Sequence, residues 1–336
     1  MIGDLRRYAA VNARVRALLP SLLGRRGLEA LYTFPSEPLL REAIARTAYE
    51  SASGSGFVDR LLQVGRSLLR WLSEPERSFV QTFLLRHELE GLKLVLRAVH
   101  RGLSWEAIAP HVCDLGEIGT VDLRRLAGSR DATAMAERLA GTPYAAAFRG
   151  ALHRLEEAGP FAVEVALELD YYERLWTAAG TLAASDVARA RHLLGILFDI
   201  LNLEWIARYR DALGLSPEEI LNYTLRQGRW LTPQARRRLA ESRGEPWANV
   251  LARTPYAPAL RGADRAGAET PSIPLWRFLA KEVERALVGY PFHVGVPLGF
   301  LLVQEIEIRD LGVLLAAKGM AVPAAETFER LATVRH

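Results

Sequence analysis

The chain of 336 residues has one cysteine, Cys113, three methionines and three lysines, Lys93, Lys281 and Lys318. A single cysteine excludes an intramolecular disulfide and a thiolate metal cluster, and is the usage expected of a reducing compartment. Charge of one sign is also scarce: 43 basic against 39 acidic residues leave +4. A dedicated nucleic-acid binder shows a denser surplus or a clustered stripe, and no RNA-binding signature or helix-turn-helix context stands here. Almost all the basic residues are arginine, as GC-rich codon usage gives and as ion-pair networks also use. The opening Met1-Ile2-Gly3-Asp4-Leu5-Arg6-Arg7 has no apolar run of signal-peptide type. Only Ala286–Val303 approaches the length of a membrane span without a formal charge. Its glycines, Pro291 and Pro297 argue instead for a loop leading into a buried helix.

Strand signals are missing too. No run of alternating apolar and polar residues is bounded by Asn-Gly or Asp-Gly. Helical periodicity takes their place, over Leu61–Leu72, Thr82–Val99, Val187–Arg208 and Leu298–Ala317. Ser216-Pro217-Glu218-Glu219 reads as a helix start, with Ser at the N-cap and Pro behind it, and Ser104-Trp105-Glu106 resembles it. Breaks are expected at Ser53–Gly56, Gly102, Gly214 and Gly262–Pro274. The fold class is all-α.

Enzyme motifs are equally sparse. His87-Glu88 begins a zinc H-E-x-x-H pattern, but Gly91 stands where the second ligand belongs. Gly54-Ser55-Gly56 fits neither a P-loop nor a dinucleotide fingerprint, and no G-x-S-x-G elbow occurs. Adjacent acids such as Glu156-Glu157 point apart on a helix and form no acid/base dyad. Arg124-Arg125 and Arg236-Arg237-Arg238 read as solvated helix faces, with an acidic partner or lipid headgroups as the other possibility. No catalytic, metal-binding or cofactor-binding residue is expected.

What the sequence does contain is an internal repeat. Arg86–Ile108, Phe198–Ile220 and Gln304–Ala325 each carry an acid, a small or polar residue three positions on, then Leu. The sets are Glu88-Gly91-Leu92, Asp199-Asn202-Leu203 and Glu307-Asp310-Leu311. A second pattern recurs in the same order: Arg46-Thr47-Ala48-Tyr49, Gly141-Thr142-Pro143-Tyr144 and Arg253-Thr254-Pro255-Tyr256. Three copies near 110 residues each suit three helical domains, residues 1–112, 113–225 and 226–336. If each copy meets the next with the same face, the three close about a pseudo-threefold axis around a hollow. Glu88, Asp199, Asn202, Glu307 and Asp310 are then the structural or interface candidates. Two readings of the acids stay open: a solvated face interacting with the helix dipole, or a contact in which each acid meets an arginine of a neighbouring helix. Arg97 and Arg208 stand nine residues after Glu88 and Asp199, whereas the third copy has Ala316. The tyrosines read as core rings with hydroxyls on backbone partners.

These residues carry a family resemblance. Tyr8-Ala9-Ala10-Val11-Asn12-Ala13-Arg14-Val15-Arg16 resembles the opening of the C-type central-stalk component of prokaryotic A/V-type rotary ATPases, whose eukaryotic V-ATPase counterpart is called d. Asp199-Ile200-Leu201-Asn202-Leu203 matches that family's repeated helix. Pro291-Phe292 and Gln304-Glu305-Ile306-Glu307-Ile308-Arg309-Asp310-Leu311 resemble its closing segment. Gly91 departs from the usual Asn-type residue.

The resemblance implies an all-helical funnel of three similar domains, with no catalytic site and no cofactor. It implies a place on the cytoplasmic side of the membrane, peripheral, in a complex that couples ion transport to ATP synthesis or hydrolysis. The expected partners are a coiled-coil central-stalk subunit of D type, its F-type companion and the membrane proteolipid ring. Two other functions compete: an arginine-rich helical scaffold that binds RNA or acidic proteins, and an all-α enzyme with a pocket in the hollow.

Overall fold

A computed structural model describes residues 2–50, 56–242, 245–261 and 272–334. Every regular element among them is helical. The chain divides into two compact units, one of Met1–Tyr49 with Leu182–His336 and one of Glu50–Thr181. The expected breaks at Ser53–Ser55 and Gly262–Pro271 lie outside the described residues.

In the Glu50–Thr181 unit, the Glu88 helix (Arg86–Arg101) is amphipathic. Leu89, Leu92, Val95 and Leu96 fall at helical spacing on one face and are buried, each contributing roughly 1.5–3 kcal/mol relative to an exposed side chain. That face packs on the long helix Pro160–Gly180. Two ion pairs join these helices: Lys93 with Glu168 at 2.5 Å, and a two-pronged contact of Arg97 with Glu164 at 2.6 and 2.9 Å. The helix expected over Thr82–Val99 is two helices, Glu76–Leu84 and Arg86–Arg101, that abut at Leu85. No glycine or proline marks that junction, so periodicity ran through it.

The other unit is built on two long helices that are apolar nearly all round. The Asp199 helix (Ala184–Ala207) buries Leu193, Leu194, Ile196, Leu197, Phe198 and Ile200. The Glu307 helix (Gly295–Gly319) buries Val296, Leu298, Phe300, Leu301, Leu302 and Ile306. A helix with no polar stripe belongs in a core rather than on a surface. The Glu307 helix accordingly packs on Ile273–Val288, on the N-terminal helix Ile2–Leu18 and on the Asp199 helix. The apolar run Ala286–Val303 is the end of Ile273–Val288, a loop, and the start of the Glu307 helix. Among the described residues no helix is long and apolar enough to cross a membrane. Ser216 closes a full capping box with Glu219. Arg236 departs from the solvated-face expectation: it is 8% exposed and donates to the Leu225 carbonyl.

Candidate functional site

The three repeated acids are buried: Glu88 is 1% exposed, Asp199 and Glu307 0%. A lone buried carboxylate is costly unless it is hydrogen-bonded, and each of these is met by the same two groups. One is a loop whose backbone N–H groups turn toward the carboxylate. The other is the tyrosine of the second repeated pattern.

Asp199 accepts from the amides of Arg229 at 3.1 Å, Trp230 at 2.7 Å and Leu231 at 3.2 Å, and from the Tyr256 hydroxyl at 2.8 Å. Glu88 accepts from the Thr120 amide at 2.5 Å, its hydroxyl at 2.6 Å and the Val121 amide at 2.9 Å. The Tyr144 hydroxyl faces Glu88 and donates to the Leu85 carbonyl at 3.4 Å. Glu307 accepts from the amides of Leu23 at 3.2 Å and Gly24 at 2.7 Å, and from the Tyr49 hydroxyl. The arginine partners expected from spacing are not what the acids meet. Arg97 serves Glu164 instead.

The positions three residues on do related work. Asn202 is 1% exposed and bonds Leu225 both ways, donating to its carbonyl at 3.1 Å and accepting its amide at 2.7 Å. Asp310, at 0%, accepts the amides of Ala332 at 2.9 Å and Thr333 at 2.7 Å, and pairs with Arg309 at 3.1 Å. Gly91 has no side chain to brace with. Leu123 fills the space, close enough to collide with a Cβ there.

The Thr-x-Tyr turn is built identically three times. Each threonine hydroxyl donates to the carbonyl three residues back, at 2.7 Å for Thr47, Thr142 and Thr254. Each also accepts the amide of its tyrosine, at 3.1, 3.4 and 3.2 Å respectively. That turn aims the ring inward. Tyr49 is 1% exposed and Tyr144 and Tyr256 are 0%.

In sequence, each tyrosine stands 39 to 55 residues before the acid of its own copy. The structure pairs it with the acid of the copy before: Tyr144 with Glu88, Tyr256 with Asp199, and Tyr49, of the first copy, with Glu307 of the third. Sequence reasoning missed the loops. Their one signal is a glycine upstream of the tyrosine: Gly24 and Gly119 stand 25 residues before Tyr49 and Tyr144, and Gly228 stands 28 before Tyr256. At Gly228 the reason is steric, because a Cβ would overlap the Asp199 carboxylate.

Burial pushes the Asp199 carboxyl above the ordinary carboxylate range, while the Trp230 amide and the Tyr256 hydroxyl pull it back. Burial and the neighbouring carboxylates raise the Tyr144 and Tyr256 phenols, so both stay protonated and able to donate. The arrangement is suited to holding helices and loops in register. Among the described residues, no three His, Cys, Asp or Glu side chains converge to hold a metal ion. Cys113 lies beside a cavity with Glu88 at its wall, and burial pushes its thiol up to about 11, away from nucleophilic use.

Comparison with known proteins extends the likeness over the whole fold. A protein of Methanothermobacter thermautotrophicus, named as the C subunit of an A-type ATP synthase, is 28% identical over 94% of this chain and 85% of its own. One of the same name from Methanocaldococcus jannaschii is 25% identical over 95% and 84%. The C subunit of a V-type ATP synthase from Deinococcus radiodurans is 26% identical over 49% and 51%. The sequence profile described as ATP synthase (C/AC39) subunit matches residues 11–330, and the chain belongs to that family.

Proposed function

We propose that this chain is the C-type central-stalk component of an A/V-type ATP synthase, a passive socket that couples the rotating shaft to the membrane proteolipid ring. Its three similar helical domains, 1–112, 113–225 and 226–336, stand about a pseudo-threefold axis as a funnel. The hollow receives the coiled-coil D-type subunit with its F-type companion. The base rests on the ring at the cytoplasmic side of the membrane. Ion transport is thereby linked to ATP synthesis or hydrolysis, with no catalytic site in this chain.

The observation that supports this reading is the carboxylate–loop–tyrosine arrangement made three times, with the first copy's tyrosine on the third copy's acid. Such an order is what a closed set of three repeats needs, and a closed set has an axis. A torque carrier needs stiff packed helices. Glu88, Asp199, Asn202, Glu307 and Asp310 supply that stiffness by fixing loops to helices through charge-assisted or paired bonds. The names of the relatives point to the same complex. The test is to mix the purified chain with the coiled-coil stalk subunit of its own source and follow complex formation by size-exclusion chromatography and calorimetry. A stoichiometric complex is expected. Failure to associate at micromolar concentration, with both partners folded, overturns the reading.

A further inference from the structure

The unit of Met1–Tyr49 with Leu182–His336 contains a cavity of about 460 Å³ that the tyrosine–carboxylate contacts do not use. Its walls carry Arg189 and His192 from the Asp199 helix, Arg229 from the loop that wraps Asp199, and Glu282 and Arg285 from the helix Ile273–Val288. Three guanidinium groups thus face one carboxylate. That carboxylate is already engaged, by His192 at 2.9 Å and by Arg285. Arg189 donates only to the Ser185 carbonyl, at 3.4 Å, and Arg229 lies over the Trp230 ring at 5.2 Å. Neither has a carboxylate partner among the described residues.

Two further features sit at the same wall. Gly295 opens the 25-residue Glu307 helix and lines the cavity, while the Val296 amide beside it is taken by the His293 carbonyl. His293 is 5% exposed, yet its Nδ1 has no hydrogen-bond partner among the described residues. That atom occupies the place a side chain at 295 would take, since a Cβ there would lie 2.8 Å from it. Burial and then Arg189 hold the His293 ring below its ordinary range, against Asp186 and the Tyr290 backbone, which raise it. Behind it, Asp186 accepts the Val294 amide at 3.0 Å and the Tyr8 hydroxyl at 2.7 Å. Tyr290 at the wall is 44% exposed, and Val288, two residues before it in the chain, is 80%.

We propose that this cavity binds a phosphate group, held by Arg189 and Arg229, with His293 at its wall. Guanidinium forks fit phosphate oxygens in two-pronged fashion. A phospholipid headgroup and free phosphate share this chemistry. The exposed Val288 and Tyr290 suit the first, because an apolar rim beside a basic pocket matches a headgroup with acyl chains beneath it. The site stands on this unit alone, so it survives if the stalk reading fails.

The experiment titrates the full chain with inorganic phosphate by calorimetry and NMR. In parallel it sediments the chain with vesicles of phosphatidylcholine, with and without phosphatidylglycerol. Phosphate is expected to bind and to move the His293 imidazole resonances. The double variant Arg189→Gln/Arg229→Gln, both exposed positions, should bind about tenfold more weakly or worse. Arg237→Gln, on an exposed helix face of the same unit, should bind as the parent does. Capture by phosphatidylglycerol vesicles alone, lost in the double variant, assigns the headgroup. Phosphate binding without vesicle capture assigns the free anion. The proposal is overturned if neither probe binds, if the double variant and Arg237→Gln lose binding equally, or if the His293 resonances stay still at saturation.

Discussion

Replacing Asp199 by alanine removes the one acceptor shared by three loop amides and a phenol. Of the five contacts within 3.2 Å, four fall on Oδ2: Arg229, Trp230, Leu231 and Tyr256. A buried donor left unsatisfied costs about 1–3 kcal/mol. If water enters the vacated space and serves half of them, two orphaned donors give a loss of about 2–6 kcal/mol. Asparagine behaves differently. Its carbonyl can take the Oδ2 place and keep the same four donors, while its amide turns toward Oδ1, which only Arg229 approaches. What is lost is the charge assistance, about 1–2 kcal/mol. That loss is offset because a neutral group escapes the burial cost, which outweighs those bonds and raises the Asp199 carboxyl. Asp199→Asn should therefore cost well under half of Asp199→Ala. The measurement is urea unfolding of each variant, joined to amide exchange at Arg229–Leu231, which reads the loop even where the two units melt separately. An alanine variant within about 1 kcal/mol of the parent, or an asparagine variant as damaging as alanine, would refute the reasoning.

Other predictions follow from the same geometry. The raised Asp199 carboxyl makes the cost of Asp199→Asn depend on pH: the parent loses stability as pH rises from the unfolded value through the folded one, while an asparagine there does not titrate. The asparagine variant should accordingly gain on the parent, read as the urea midpoint, as pH rises above the ordinary carboxylate range. Lys93→Met leaves the partly exposed Glu168 without its cation and should cost about 1–3 kcal/mol, most of it recovered in the Lys93→Met/Glu168→Leu double variant. Gly228→Ala should lower the thermal midpoint by the equivalent of about 1–3 kcal/mol, because its Cβ drives into the Asp199 carboxylate. Tyr49→Phe should cost about 1–2 kcal/mol by deleting the donor to Glu307, and should speed amide exchange at Leu23 and Gly24.

The helical class and the recurring acids and tyrosines were legible because periodicity and spacing are written in one dimension. Their pairing was not. Tyr256 lies 57 residues from Asp199 and Tyr49 lies 258 from Glu307, so no fixed offset links tyrosine to acid once the order wraps. The expectation of arginine partners failed for a related reason. A carboxylate can be satisfied by backbone amides, which every loop carries and no residue name announces. Only the glycine that lets the loop approach leaves a trace, at Gly228 above all. Helix ends were blurred where the chain bends without a breaker, as at Leu85 and at the π turn Arg208–Ala212 that ends the Asp199 helix. The cavity around Arg189 and His293 draws on four separated segments and had no sequence signature.

The bond between Tyr49 and Glu307 has a consequence for synthesis. On the ribosome, Leu23, Gly24 and Tyr49 emerge long before the carboxylate they will surround. Until it arrives, their donors face water and the segment has no native partner there. Domains generally mature in order of translation, but here a segment made early must wait for the Glu307 helix. A truncated nascent chain lacking that helix should therefore leave its first fifty residues open to proteases and chaperones, however well its middle has folded.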